Sequence, residues 1–83
     1  MNSVVRITKW QLVMRLKQVN KLLAFYTFIN GLAPDDDVKI EWEYKDLVER
    51  DGLLVAAIQQ ETGYTDQQVD QFFEAAGHID DGS

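Results

Sequence analysis

Residues 65–77 read TDQQVDQFFEAAG, and this stretch decides the fold because it carries a complete helix signal. Thr65 and Gln68 have the spacing of a capping box, in which each side chain satisfies a backbone amide of the first turn. The apolar positions that follow fall on one helical face: Val69, Phe72 and Phe73. Gly77 then closes the run. The sequence therefore predicts a last helix over about residues 66–76.

A second helix is predicted directly before it, over about residues 52–61, so that the chain ends in a helical hairpin. Asp51 is placed to cap the start of this helix and Gly63 to end it. The pair has the look of a helix-turn-helix. However, its second helix, DQQVDQFFEAA, holds three acids and no base, and DNA phosphates would repel it. Sequence-specific DNA binding by this hairpin is therefore not expected.

Two further helices are predicted in the N-terminal part. Thr8 and Gln11 repeat the capping-box spacing at the start of the first. The second covers about residues 20–30, where Asn20 can cap its start and Gly31 can end it in a left-handed conformation. Its stretch LLAFYTFI is apolar nearly all round. Such a helix lies either at the centre of a core or under a partner.

The segment VKIEWEY at residues 38–44 allows two interpretations. Its strict alternation of apolar and polar residues is typical of a strand, and residues 4–7 are the only candidate to pair with it. Four of its apolar and neighbouring positions also share one helical face: Ile40, Tyr44, Leu47 and Val48. Helix is favoured. The preceding acids at 35–37 lack the alternating pattern of a calcium loop and suit the positive end of a helix dipole.

These signals together predict an all-α fold. The expected architecture is a small single-domain bundle of about four to five short helices, ending in the helical hairpin, with room for one short extended pair. Residues 1–79 form this helical domain, and residues 80–83 form a flexible acidic tail.

Charge is distributed unevenly along the 83 residues, whose net charge is −6. Every charged residue in 1–33 is a cation: Arg6, Lys9, Arg15, Lys17 and Lys21. Residues 51–83 contain acids but no lysine or arginine. Opposite fields of this kind either attract one another within the fold or face different partners. The net charge argues against direct binding of nucleic acid.

Enzymatic or metal-dependent chemistry is not expected. The chain has no cysteine and a single histidine, His78, and no nucleophile–base pair or glycine-rich phosphate loop is visible. No catalytic, cofactor-binding or metal-binding residue is therefore assigned. The longest apolar stretch is too short to span a bilayer, which predicts a cytoplasmic protein without a membrane partner.

Large aromatic rings are the best candidates for contact with another protein. Rings of this kind anchor protein interfaces when they remain exposed. The predicted partner-binding residues are Trp10, Tyr26, Trp42 and Tyr44. A second hypothesis uses the acids instead, as an imitation of DNA phosphates that inhibits a nucleic-acid-binding protein. The acids that would line such a face are Asp35, Asp36, Asp37, Glu41, Glu43, Asp46 and Glu49.

Three segments resemble a group of small proteins of tailed bacteriophages and prophages, encoded near the tail and tail-fibre genes. The segments are ITKWQL, KIEWEYKDLVERDGLLVAAI and TGYTDQQVDQFFEAAGHI. The matching positions are Ile7, Thr8, Gln11, Ile40, Trp42, Glu43, Arg50, Asp51, Gly63, Thr65, Val69, Asp70, Phe72 and Ala75. This chain departs from the group at Gly52 and Leu53, where a residue followed by proline is usual, and at Tyr64, where leucine is usual.

The resemblance implies a gene from the late, tail-region part of a phage genome and no activity. Together with the residues above, it favours a non-enzymatic phage accessory protein that binds another protein, with tail or tail-fibre assembly as the process. The partner implied is viral or host, a homo-oligomer is compatible with it, and the location is the host cytoplasm or the virion. The alternative from the acidic surface is an inhibitor of a host nucleic-acid-binding or defence protein. The group has no assigned chemistry, so no functional residue is carried over from it.

Overall fold

The computed structural model describes residues 5–79, and within them the chain is mostly helical, as predicted. The elements in order are β1 (Arg6–Thr8), α1 (Lys9–Gln18), α2 (Leu22–Asn30), α3 (Asp37–Tyr44), β2 (Leu47–Glu49), α4 (Leu53–Thr62) and α5 (Asp66–Gly77). The segment 38–44 lies in helix α3, so the favoured interpretation is confirmed and the strand alternative is wrong. The predicted acidic tail at 80–83 lies outside the described residues.

One short extended pair is present, but its second strand is not the segment that alternates most clearly. β1 pairs antiparallel with β2, with Ile7 opposite Val48. Both of these side chains are buried, whereas the neighbouring Leu47 is exposed, because successive side chains in a strand point to opposite faces. The expectation that Leu47 and Val48 continue the helical face of α3 is therefore wrong.

The two predicted capping boxes are both confirmed. At the start of α1 the Gln11 amide donates to Thr8 Oγ1 at 3.0 Å, and the Thr8 amide donates to Gln11 Oε1 at 2.9 Å. At the start of α5 the Thr65 amide donates to Gln68 Oε1 at 2.8 Å, and the reverse bond is 3.2 Å. Each pair satisfies two amides that a helix start leaves without an intrahelical acceptor.

The turn between α1 and α2 differs from the prediction. Asn20 does not cap α2 but ends α1, with a left-handed φ of 60°. The Lys21 amide donates to the Leu16 carbonyl at 2.9 Å and the Asn20 amide to the Lys17 carbonyl at 3.2 Å, which is the Schellman arrangement. The prediction of a left-handed Gly31 is also wrong, since its φ is −81°.

Replacing Asn20 is expected to show the cost of this left-handed residue. Asn20→Ala should lower the free energy of unfolding by about 1 kcal/mol, because a Cβ disfavours the left-handed region, whereas Asn20→Gly should be neutral or slightly stabilising. Urea denaturation followed by circular dichroism measures both. Asn30→Ala, at an exposed helical position, is the control. Equal stability of the alanine and glycine variants at position 20 would contradict the expectation.

The first turn of helix α4 is capped by a residue that is distant in sequence, and not by Asp51 as predicted. Its N-cap is Gly52, which has no side chain. The Leu54 amide instead donates to Glu41 Oε2 of α3 at 2.5 Å, and Lys45 lies 3.5 Å from the other oxygen of that carboxylate. A Cβ on Gly52 would lie 3.1 Å from Glu41 Oε1. Glycine at this position therefore lets the carboxylate approach the helix start.

The core joins residues from every element except α3, which contributes only half-buried side chains. Its members are Ile7, Leu12, Leu16, Phe25, Ile29, Val48, Leu54, Val55, Ile58, Val69, Phe72, Phe73 and Ala76. α1 lies closest to α5, and α3 lies closest to α4. Gly63, with a φ of 74°, ends α4 as predicted. Among the helices, α2 makes its most extensive contacts with α1, and five of its nine residues are exposed.

Candidate protein-binding surface

Helix α2 combines an uncharged sequence with a large exposed face. Phe25 and Ile29 enter the core, while Leu23 on the opposite side is 80% exposed and Tyr26 is 37% exposed. We call the exposed side chains of α2 at helical spacing i, i+3, i+4 and i+7 the α2 surface: Leu23, Tyr26, Thr27 and Asn30. The structure therefore places one side of this helix in the core, as one of the two alternatives predicts, and leaves the other side exposed.

The polar groups of the α2 surface are few, and one is already satisfied within the helix. Thr27 Oγ1 donates to the Leu23 carbonyl at 3.0 Å, so its hydroxyl proton is engaged. α2 itself contains no charged side chain. Removing the exposed apolar surface of Leu23 and Tyr26 from water lowers the free energy. The face is therefore suited to contact with another protein.

Two depressions flank α2 and offer room for side chains of a partner. One, of about 240 Å³, lies between α2 and α4, and its lining is Leu16, Lys21, Ala24, Phe25, Phe28, Ile58, Glu61 and Thr62. The other is a wider hollow of about 340 Å³ at the start of α2, lined by Lys17, Asn20, Leu22 and Leu23. Each has a largely apolar lining and one lysine.

Charges of opposite sign stand at the two ends of α2. Lys17 and Lys21 precede the helix, and the Lys21 ammonium lies 5.6 Å from the centre of the Tyr64 ring. Asp35 and Asp37, both exposed, follow the helix. The α2 surface is therefore an uncharged strip that lysines precede and aspartates follow along the chain.

One of the predicted contact residues, Trp42, packs against the buried side of α2. The half-buried Trp42 of α3 meets Phe25 edge to face, with ring centroids 5.0 Å apart. The Lys9 ammonium lies 5.0 Å from the centre of the same Trp42 ring. Trp42 thus holds α2 against α3, in keeping with its position between the core and the surface.

The other three predicted contact residues lie on three different helices. Tyr26 is part of the α2 surface, and Trp10 is exposed on α1. Tyr44, at the end of α3, is 81% exposed and lies one turn from the exposed Ile40. Sequence reasoning missed Leu23, because its offset from Phe25 and Ile29 around the helix places it outward only once those two residues are known to be buried.

The described residues contain few of the features that catalysis or metal binding requires. His78 is exposed just after α5, where its amide donates to the Ala75 carbonyl at 3.2 Å. Among residues 5–79, no cluster of three or more His, Cys, Asp or Glu is placed to hold a metal ion. In the same part of the chain, no helix has the length and hydropathy of a membrane-spanning segment. That the protein is not an enzyme stays a prediction.

Of the acids predicted to imitate phosphates, two cap helices and the others are exposed to solvent. Asp36 caps α3 by accepting a 2.9 Å bond from the Val38 amide, and Glu41 caps α4. The others are exposed: Asp35, Asp37, Glu43, Asp46 and Glu49. The acidic face therefore contains fewer carboxylates available to a partner than the sequence predicts.

Comparisons with known protein families, curated proteins and solved structures gave no match for this chain. The resemblance to small phage proteins therefore stays a prediction. Among the described residues, the large apolar side chains with the greatest exposed fraction are Tyr44 of α3 and Leu23 of α2.

Proposed function

We propose that this chain is a non-enzymatic accessory protein that acts by binding another protein molecule, with the α2 surface as its docking site. The observation that carries this proposal is the 80% exposure of Leu23 on a helix without charges. Burying one such leucine is worth roughly 1.5–3 kcal/mol. The two flanking depressions add room for apolar side chains from the partner.

The resemblance to small phage proteins supports tail or tail-fibre assembly as the process in which this binding occurs. The alternative, an acidic inhibitor of a host nucleic-acid-binding protein, would use the carboxylates around α3. It is less well supported because Asp36 and Glu41 are engaged in helix caps. Competition of the purified protein with DNA for a host protein is the result that would favour this alternative.

The experiment that tests the docking site compares two exposed apolar residues. Leu23→Asp places a charge on the α2 surface, and Tyr44→Asp places the same charge on α3 at an equally exposed position. Tagged wild-type protein and both variants are produced during phage growth, and co-purification with virions or a tail protein is measured. Leu23→Asp is expected to weaken binding about 10- to 100-fold, with an unchanged melting temperature.

Tyr44→Asp serves as the matched control and is expected to retain binding. Loss of binding in the Tyr44 variant alone would place the docking site on α3 and contradict the role of α2. Equal binding by the wild type and both variants would also contradict it.

A further inference from the structure

We infer that the protein seated on the α2 surface is a second copy of this chain, with the two α2 helices packed antiparallel. This inference rests on the proposed function, because it assumes that the α2 surface docks a protein. Its geometry is a two-fold, isologous contact, in which the same patch on both copies is buried. The two-fold axis then passes close to Tyr26 and Thr27, the middle pair of the α2 surface.

Charge complementarity between the two ends of α2 is the first argument. Lys17 and Lys21 precede the helix, and Asp35 and Asp37 follow it. With 9 residues the helix is about 14 Å long at 1.5 Å per residue. Antiparallel packing therefore brings the lysines of each copy towards the aspartates of the other. Two-fold symmetry repeats this attraction at both ends of the contact.

The side chains between those ends are the second argument. The residues of the α2 surface recur at i, i+3, i+4 and i+7, the spacing of the seam between two packed helices. None of them is charged, so no unpaired charge is buried at the centre of the contact. In this arrangement the exposed Leu23 of each copy is removed from water by contact with the region around Asn30 of the other copy. The hollow beside Leu23 offers room for the Tyr26 ring of that other copy.

A second copy of the chain offers opposite charges to the lysines and to the aspartates at the same time. A partner that is acidic throughout would meet Lys17 and Lys21 but be repelled by Asp35 and Asp37, and a basic partner would have the opposite difficulty. The contact is nevertheless modest, since a helix of this length covers less than the roughly 800 Å² per partner of a standard interface. The net charge of −6 on each copy also opposes association. Reversible, concentration-dependent dimerisation is therefore expected.

Charge exchange between the two ends provides a decisive test. One variant carries Lys17→Glu and Lys21→Glu, and the other carries Asp35→Lys and Asp37→Lys. Asp36 is left in place because it caps α3. Sedimentation equilibrium over a range of concentrations measures the oligomeric state. The wild type is expected to dimerise, each variant alone to remain monomeric, and an equimolar mixture of the two to form a mixed dimer in which both ends again match.

The melting temperature of each variant is measured first, because Asp37 lies in the first turn of α3. If the double aspartate variant does not fold, Asp35→Lys is paired with Lys21→Glu in the same scheme. Glu74→Lys is the control for charge change alone. It reverses an exposed acid on α5 and is expected to leave dimerisation unchanged.

Three results would overturn the inference: a wild type that is monomeric at every concentration, a dimer that survives in both exchanged variants, or a mixture that stays monomeric. These results leave the proposed function standing if Leu23→Asp, but not Tyr44→Asp, still abolishes binding to another protein. Equal behaviour of the Leu23 and Tyr44 variants in that assay, together with a monomeric wild type, would remove both.

Discussion

Replacing Phe73 by alanine is expected to lower the free energy of unfolding by about 3–5 kcal/mol, as large core truncations do. Phe73 is 1% exposed and heads the group of largest fully buried side chains. Together with Leu12 of α1 and Val55 of α4, Phe73 lines a small apolar depression between these helices. A domain of this size has little stability in reserve, so the variant should be substantially unfolded. Urea denaturation followed by circular dichroism measures the change.

Two comparisons show whether burial causes this loss. Phe72→Ala is expected in the same range of about 3–5 kcal/mol, because Phe72 is also buried on α5. Leu53→Ala, at an exposed position of α4, should change stability by less than about 1 kcal/mol. A melting temperature that is unmoved by either phenylalanine substitution would show that α5 is not packed through its aromatic face.

The predictable part of this fold is the part that local interactions determine. The capping boxes at Thr8 and Thr65 each join residues three positions apart, so the sequence contains the whole signal. The aromatic face of α5 follows from the same short spacing. For these reasons the starts of α1 and α5 were predicted correctly from the sequence.

Two of the errors involve partners that are distant in sequence. The cap of α4 joins Glu41 to Leu54, and no local pattern distinguishes Glu41 from other acids nearby. The sheet pairs Ile7 with Val48, whereas the alternation at 38–44 is stronger but lies in a helix. Asparagine is a common residue at the start of a helix, but it also adopts the left-handed conformation that ends one, and Asn20 does the latter. Tertiary packing decides the first two cases, whereas the end of α1 at Asn20 is closed by local hydrogen bonds to the Leu16 and Lys17 carbonyls.

The candidate docking surface was predicted only in part. The sequence identifies α2 as uniformly apolar, but a helix with apolar residues all round does not indicate which side faces water. Its orientation is set by α1 and by Trp42, which packs on Phe25. Tyr26 was therefore predicted as a contact residue because it is aromatic, and the more exposed Leu23 was missed.

Glu41→Ala is expected to lower the free energy of unfolding by about 1–3 kcal/mol, through loss of the cap of α4. The Glu41 side chain is only 15% exposed, and hydrogen bonds to charged groups are worth more than neutral ones. Without the carboxylate, the Leu54 amide at the start of α4 loses its acceptor. Glu41→Gln keeps an acceptor oxygen without the charge, and its loss should be smaller. Thermal and urea denaturation measure both.

Glu43→Ala is the matched control, because Glu43 lies on the same helix and is exposed. Its effect should stay within about 0.5 kcal/mol. Gly52→Ala provides a second test, since the added Cβ would lie 3.1 Å from Glu41 Oε1 and 3.2 Å from Glu41 Oε2. It should displace the carboxylate in the wild type and cost less in a Glu41→Ala background, where only the Glu49 carbonyl oxygen, 3.2 Å from the added Cβ, remains in close contact. Strictly additive losses from these two changes would contradict the proposed capping of α4 by Glu41.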